Sequence, residues 1–278
     1  MLKQRVLTAI VLLAVLLPAL FAPWPWPFVA LTLVMIGAAG WEWGRLNEAS
    51  STQALAMGGL LAAACAAAWM LGWVGVGANP AWWLACAVWV LGGVLALRVG
   101  PKGWPTLPRG VRWALGWLML WTAWLALASA RVVGVNFLLS IFCLVWMADI
   151  AAYAGGRTFG RRKLAPAISP GKSWEGVWSG MLGVMVLAVA WIFADKAWAL
   201  GSPSLFTLLW QRFDVPGLML ALVFLSAMSV LGDLVESLVK RAAGAKDSSG
   251  LLPGHGGVLD RVDALLPVFP IALALSSL

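Results

Sequence analysis

Charge is scarce in this chain. Only 11% of its 278 residues are Asp, Glu, Lys or Arg and 62% are hydrophobic, whereas an ordinary soluble domain is about a quarter charged and nearer half apolar. That balance excludes water as the main solvent. The alternating ten-residue pattern of a membrane β-barrel is also missing, because the apolar runs are continuous. Cysteine occurs three times, as Cys65, Cys86 and Cys143, each inside an apolar run and without metal-ligand spacing. They read as small buried hydrophobes. No internal repeat or low-complexity tract is present. The exit of the first apolar run, Pro23 to Pro27, lacks the small-residue pattern of a cleaved leader, so that run reads as a retained span.

What is abundant fits a lipid-embedded bundle. Twenty Trp and thirty Gly suit aromatic rings at headgroup level and helices in close approach. A span takes about twenty apolar residues, and segments near that length fall at 6–22, 28–44, 53–72, 81–97, 113–130, 133–150, 174–194, 216–232 and 262–278. The sequence therefore predicts an all-α, polytopic bundle of about nine transmembrane helices. With the N-terminus in the cytoplasm, every Lys and Arg except Arg131, Lys196 and Arg212 lies on the inner side, as the positive-inside rule requires. The net charge of +8 is explained by that rule, and nucleic acid is not an expected partner. Residues 1–130 read as scaffold helices and 131–278 as the region that carries chemistry.

Two polar segments support that division. The first runs from Asp149 to Gly176. Asp149 is placed at the cytoplasmic end of a span, where the helix dipole disfavours a carboxylate, so either an Arg partner or a site role is expected. The stretch S-P-G-K-S-W-E-G brings Lys172 and Ser173 just ahead of a helix, with Ser173 as N-cap and Glu175 in the first turn. A helix start with Lys and hydroxyl groups suits a phosphate, although the Walker A spacing is absent.

The second segment runs from Gly232 to Asp263. If the preceding helix continues, Asp233, Glu236, Ser237 and Lys240 share one face. Carboxylates beside a basic group are what a hard divalent cation carrying polyphosphate needs. The only histidine, His255, sits between glycines in a loop that can approach a ligand closely. Asp260 and Asp263 lie one turn apart at the entrance to the last span, where they either suit the helix dipole or hold a cation.

The run from Ser237 to Asp263, S-L-V-K-R-A-A-G-A-K-D-S-S-G-L-L-P-G-H-G-G-V-L-D-R-V-D, resembles the signature of phosphatidate cytidylyltransferases, the CDP-diacylglycerol synthases. The earlier A-Y-A-G-G-R-T-F-G and S-P-G-K-S-W-E-G stretches are similar to that family too, with Ser173 where Thr is common. The resemblance covers residues 146–270. It implies transfer of a cytidylyl group from CTP to phosphatidate with release of pyrophosphate, at the cytoplasmic face of a bacterial inner membrane. It further implies Mg²⁺, with a second, monovalent cation left open, and a homodimer.

In that reading Asp233, Lys240, Asp260 and Asp263 are the catalytic set, and Asp233, Glu236, Asp260 and Asp263 hold the metal. Lys172, Ser173, Ser237, Arg241, Lys246, Asp247, His255, Gly256, Gly257 and Arg261 contact the substrates. The alternatives are a CTP-dependent transferase with another lipid acceptor, and a transporter. Charges gathered at one face and the absence of a repeat argue against transport. The D-G-x-x-A-R pattern of CDP-alcohol phosphatidyltransferases is missing.

Overall fold

The computed structural model describes residues 2–77, 79–198 and 200–278, without side-chain detail for residues 2–7 and 9, so Lys3 and Arg5 of the charge count lie outside the described side chains. Among the described residues the chain forms eleven α-helices and one two-stranded hairpin. It opens with α1 (Leu2–Phe21), α2 (Trp26–Leu46) and α3 (Ser51–Met70). Next, α4 (Pro80–Ala87) runs through a π-helical stretch, Val88–Gly93, into α5 (Val94–Gly103). The long α6 (Arg109–Val133) and α7 (Val135–Phe159) follow. The hairpin of β1 (Lys163–Ala165) and β2 (Ser169–Ser173) leads into α8 (Trp174–Trp198) and α9 (Leu205–Ala242). The chain finishes with α10 (Leu259–Val262) and α11 (Leu265–Ser276).

Seven segments are long and apolar enough to cross a membrane: α2, α3, α4 with α5, α6, α7, α8 and α9. The chain is a multi-pass helical membrane protein. The sequence predicts two further spans. The first is represented by Ile10–Phe21 of α1. The last is α11, whose twelve residues rise only about 18 Å, short of a hydrocarbon core of about 30 Å. It is also enclosed, because every residue from Leu265 to Ala274 is buried, and it packs against α4, α6 and α9. A helix apolar all round is here one surrounded by protein.

Lipid tails are as apolar as leucine, so packing between spans rests on close approach. The α7/α8 pair shows this. A Cβ on Gly180 would stand 2.8 Å from the Ala148 carbonyl oxygen, and one on Gly176 would stand 2.8 Å from that of Ala152. Between α6 and α7 the chain reverses around one residue, Gly134, whose φ of 152° favours glycine.

Polar clamps fix both ends of the bundle. At one end Asp195 of α8 accepts hydrogen bonds from Asn136 Nδ2 at 2.8 Å, Ser204 N at 3.0 Å and Thr207 Oγ1 at 2.6 Å. These bonds join α7, α8 and the start of α9. Near the other end, Trp104 Nε1 donates to Asn47 Oδ1 at 2.8 Å and Trp113 Nε1 to the Asn47 carbonyl at 2.9 Å. That fixes the C-terminal end of α2.

Candidate active site

The helix α9 kinks at Asp214, φ 53°, just ahead of Pro216, and then continues to Ala242. The expected continuation past residue 232 is therefore present, and it places four polar side chains on successive turns. Ser237 Oγ donates to Asp233 Oδ1 at 3.2 Å, and Lys240 Nζ lies 2.5 Å from Glu236 Oε2. The same ammonium reaches Asp260 Oδ1 at 2.5 Å. From β2, two residues ahead of α8, Lys172 Nζ meets Asp233 Oδ2 at 2.5 Å. Asp263 lies close enough to Asp233, Lys240 and Lys172 to interact with their charges, and Asp149 does so with Lys172 and Asp233.

These contacts assemble one cluster of five carboxylates, Asp149, Asp233, Glu236, Asp260 and Asp263, with two ammonium groups, Lys172 and Lys240. The acids outnumber the cations. Glu236 is only 3% exposed, and its Oε1 has no hydrogen-bond partner among the described residues. Such an excess of buried negative charge is costly unless a further cation joins it. All the acidic donors are hard oxygens, the ligand type that Mg²⁺ takes. As the side chains stand, no group of three or more Asp, Glu, His or Cys among the described residues is poised around a metal. Lysines occupy the space between the acids instead.

The cluster is recessed. Asp233 lies nine residues before the end of α9, about 14 Å along the axis, and Asp149 lies ten residues before the end of α7, about 15 Å. The helix α7 continues to Phe159, and the exposed Asp149 carboxylate has a lysine and not an arginine as its cationic neighbour.

The loop from α9 to α10 closes over the cluster. Asp260 Oδ2 accepts from Ser248 N, Ser248 Oγ and Gly257 N, each at 2.8 Å. The backbone folds back at Leu252 N to the Gly256 carbonyl, 2.8 Å, and Gly256 has φ 81°. A side chain there would be strained and would also meet Asp260 Oδ2 at 2.6 Å. His255 tightens the same turn through its backbone N, 2.8 Å from the Leu252 carbonyl, while its Nδ1 is buried without a hydrogen-bond partner among the described residues.

Not every expected contact residue joins the cluster. Ser173 is buried, and its Oγ accepts from Gly176 N at 3.2 Å, which makes it the N-cap of α8. Arg241 is exposed and donates to the carbonyls of Ile168 and Ala245 at 3.4 and 3.3 Å. Lys246 and Asp247 are exposed in the turn after α9. Arg261 lines a separate, largely apolar cavity with Val258 and Val262.

One residue of the scaffold half enters the loop unexpectedly. Glu42 of α2 is fully buried and accepts from Ser249 Oγ at 2.5 Å, Leu259 N at 2.7 Å, Val258 N at 2.9 Å and Ser248 Oγ at 3.2 Å. The signal for it was a lone acid within an apolar run.

The family model of the cytidylyltransferase family matches residues 3–278. The chain belongs to the cytidylyltransferase family. It is 38% identical to the phosphatidate cytidylyltransferase of Haemophilus influenzae, a match that covers 97% of this chain and 96% of that protein. With the phosphatidate cytidylyltransferase of Pseudomonas aeruginosa the identity is 37%, over 99% of this chain and 97% of the relative. A protein of the same name from Staphylococcus epidermidis is 39% identical over about half of each chain, 51% and 50%. For a cytidylyltransferase, the recessed acid and lysine cluster has the expected makeup: carboxylates for a hard cation, and ammonium groups for phosphate oxygens.

Proposed function

We propose that this cytidylyltransferase transfers the cytidylyl group of CTP to phosphatidate, forming CDP-diacylglycerol and pyrophosphate, at a site open to the cytoplasm in a bacterial inner membrane. The observation that carries the reading is the cluster itself, two lysines among five carboxylates below the end of α9. The match to phosphatidate cytidylyltransferases along the whole chain supports it. A phosphatidate oxygen attacks the α-phosphorus of CTP, and the bond from that phosphorus to the bridging oxygen breaks as pyrophosphate leaves. The attacking phosphate is already ionised, so no general base is needed. Two polyanions must instead be brought together, and positioning with charge neutralisation supplies the rate.

The residues fit that task. Asp233 and Asp260 would hold Mg²⁺, with Glu236 and Asp263 as further ligands. When bound, the ion neutralises phosphate charge and polarises the phosphorus centre. As CTP arrives, Lys172 and Lys240 turn from their carboxylates to its phosphate oxygens. Ser237 keeps Asp233 oriented through the bond it already makes. Arg241 and Lys246, at the rim, draw in the nucleotide, and Asp247 and His255 shape the loop that encloses it.

The lipid side has its own support. A cavity of about 350 Å³ beside α10 is lined by Leu16, Phe28, Trp124, Phe142 and Phe269, with Arg261 as the one charged residue among the described ones. An acyl chain fits such a lining, and a guanidinium suits the phosphate above it. The test is a product assay with labelled CTP, Mg²⁺ and defined acceptors. Labelled CDP-diacylglycerol and equimolar pyrophosphate from phosphatidate are expected, with little product from a polyprenyl phosphate or an archaeal-type lipid. Preference for either of those acceptors overturns the substrate assignment.

A further inference from the structure

We infer that Glu42, in the half of the chain that reads as scaffold, is a positioning residue for transfer. It sets the loop and the short helix that carry Asp260 and Asp263. The inference rests on the functional reading above, to which it adds a residue outside the signature.

The geometry is specific. Oε1 of Glu42 accepts from Ser249 Oγ and Val258 N, and Oε2 accepts from Leu259 N and lies 3.2 Å from Ser248 Oγ, whose one proton it shares with Asp260. The two amides open α10, whose next residue is Asp260. A carboxylate on those amides satisfies donors that a helix start leaves without partners. A neutral amide side chain would turn its NH₂ group toward one of the backbone amides, Val258 N or Leu259 N, which has only a hydrogen to offer.

Gly257 records how close the approach is. A Cβ at that position would collide with both Glu42 Oε1 and Ser248 Oγ. The second glycine of H-G-G is therefore required by contact with α2. Ser248 completes the link. Its Oγ lies 3.2 Å from Glu42 Oε2 and 2.8 Å from Asp260 Oδ2, so one hydroxyl lies between the scaffold acid and the site acid. Position is thus relayed from α2 to a loop without regular structure of its own.

The experiment uses the full chain in lipid nanodiscs, comparing wild type, Glu42→Gln and Asn47→Ala. Amide hydrogen exchange at residues 257–260 is read without substrate, and the Mg²⁺ dependence of product formation with CTP and phosphatidate. For Glu42→Gln, exchange at those amides rises about threefold or more, the value of one net hydrogen bond. Its half-saturating Mg²⁺ rises and kcat falls about tenfold, the scale on which groups behind metal ligands act. Asn47→Ala lowers the melting temperature and leaves both readouts unchanged.

A folded Glu42→Gln protein with wild-type exchange and Mg²⁺ dependence overturns the assignment. So does an Asn47→Ala protein that moves both readouts as far. Should Glu42→Gln not accumulate, Ser249→Ala decides: raised exchange at 257–260 supports the role, and wild-type exchange removes it. Wild-type protein without CTP-dependent lipid product defeats the functional reading alone, because the exchange signature is read independently.

Discussion

Lys240 carries an unusual load for a single side chain. Its ammonium bridges Glu236 and Asp260, at 2.5 Å from each, with only 12% of the side chain exposed. Removing one partner of a buried ion pair leaves charge without compensation, typically a loss of about 3–5 kcal/mol. Lys240→Met should therefore lower the melting temperature sharply, and added Mg²⁺ should restore more of it than it adds to the wild type. Equal Mg²⁺ effects on both proteins would speak against a cation site between those acids. For Asp233→Asn and Asp260→Asn, lipid product should fall by about a hundredfold or more, beyond the range for groups that only support ligands. Near-normal turnover in either variant removes that residue from the ligand set. The spacing of Asp233, Glu236, Ser237 and Lys240 was legible because helical periodicity is a local property. Glu42 was not, because its partners stand more than 200 positions away and no local pattern points to them.

Elements decide how deep the site lies. Hydropathy locates a span by its apolar stretch, which ends near residue 150 in α7 and near 232 in α9, where only the polar periodicity points to a longer helix. Both helices continue, to Phe159 and Ala242, because their backbone bonds persist where the side chains turn polar and face a protein-lined recess. For α11 composition says less, because burial in protein and in lipid have one compositional signature; its residues are enclosed by other helices and run alongside α9 from Gly232 to Arg212. The pairing of α7 with α8 gives a test at this scale. Gly180→Val would force the helices apart at the Ala148 carbonyl, and overpacking of this kind costs about 1–3 kcal/mol. Because Asp149 sits on α7 and Lys172 on the strand that leads into α8, activity should fall along with the melting temperature. Unchanged stability would mean that the contact yields without cost.

At the scale of the whole molecule, sidedness is the property to measure. Single substitutions Lys246→Cys and Lys196→Cys mark the loop after α9 and the end of α8. In sealed inside-out vesicles, an impermeant maleimide should react at position 246 and not at position 196. The opposite pattern would turn the site away from CTP. The native thiols interfere little, since Cys65 is fully buried and the other two lie inside apolar segments. The polytopic, all-helical architecture was legible from composition alone, since no soluble or barrel alternative tolerates these continuous runs. The joining of the two halves through Glu42 was not.

The unequal fastenings at the two ends of the bundle carry a mechanical consequence. At the Asp195 end, α7, α8 and α9 are tied by hydrogen bonds among neutral side chains and one carboxylate, and nothing in the reaction competes for them. At the opposite end Lys172 ties the strand ahead of α8 to α9, and Lys240 ties α9 to α10, through partners that an incoming triphosphate can replace. Each turnover can then loosen α9 from α10 and the hairpin while the far end stays shut, admitting one reactant from water and the other sideways from the leaflet without opening a leak across the bilayer.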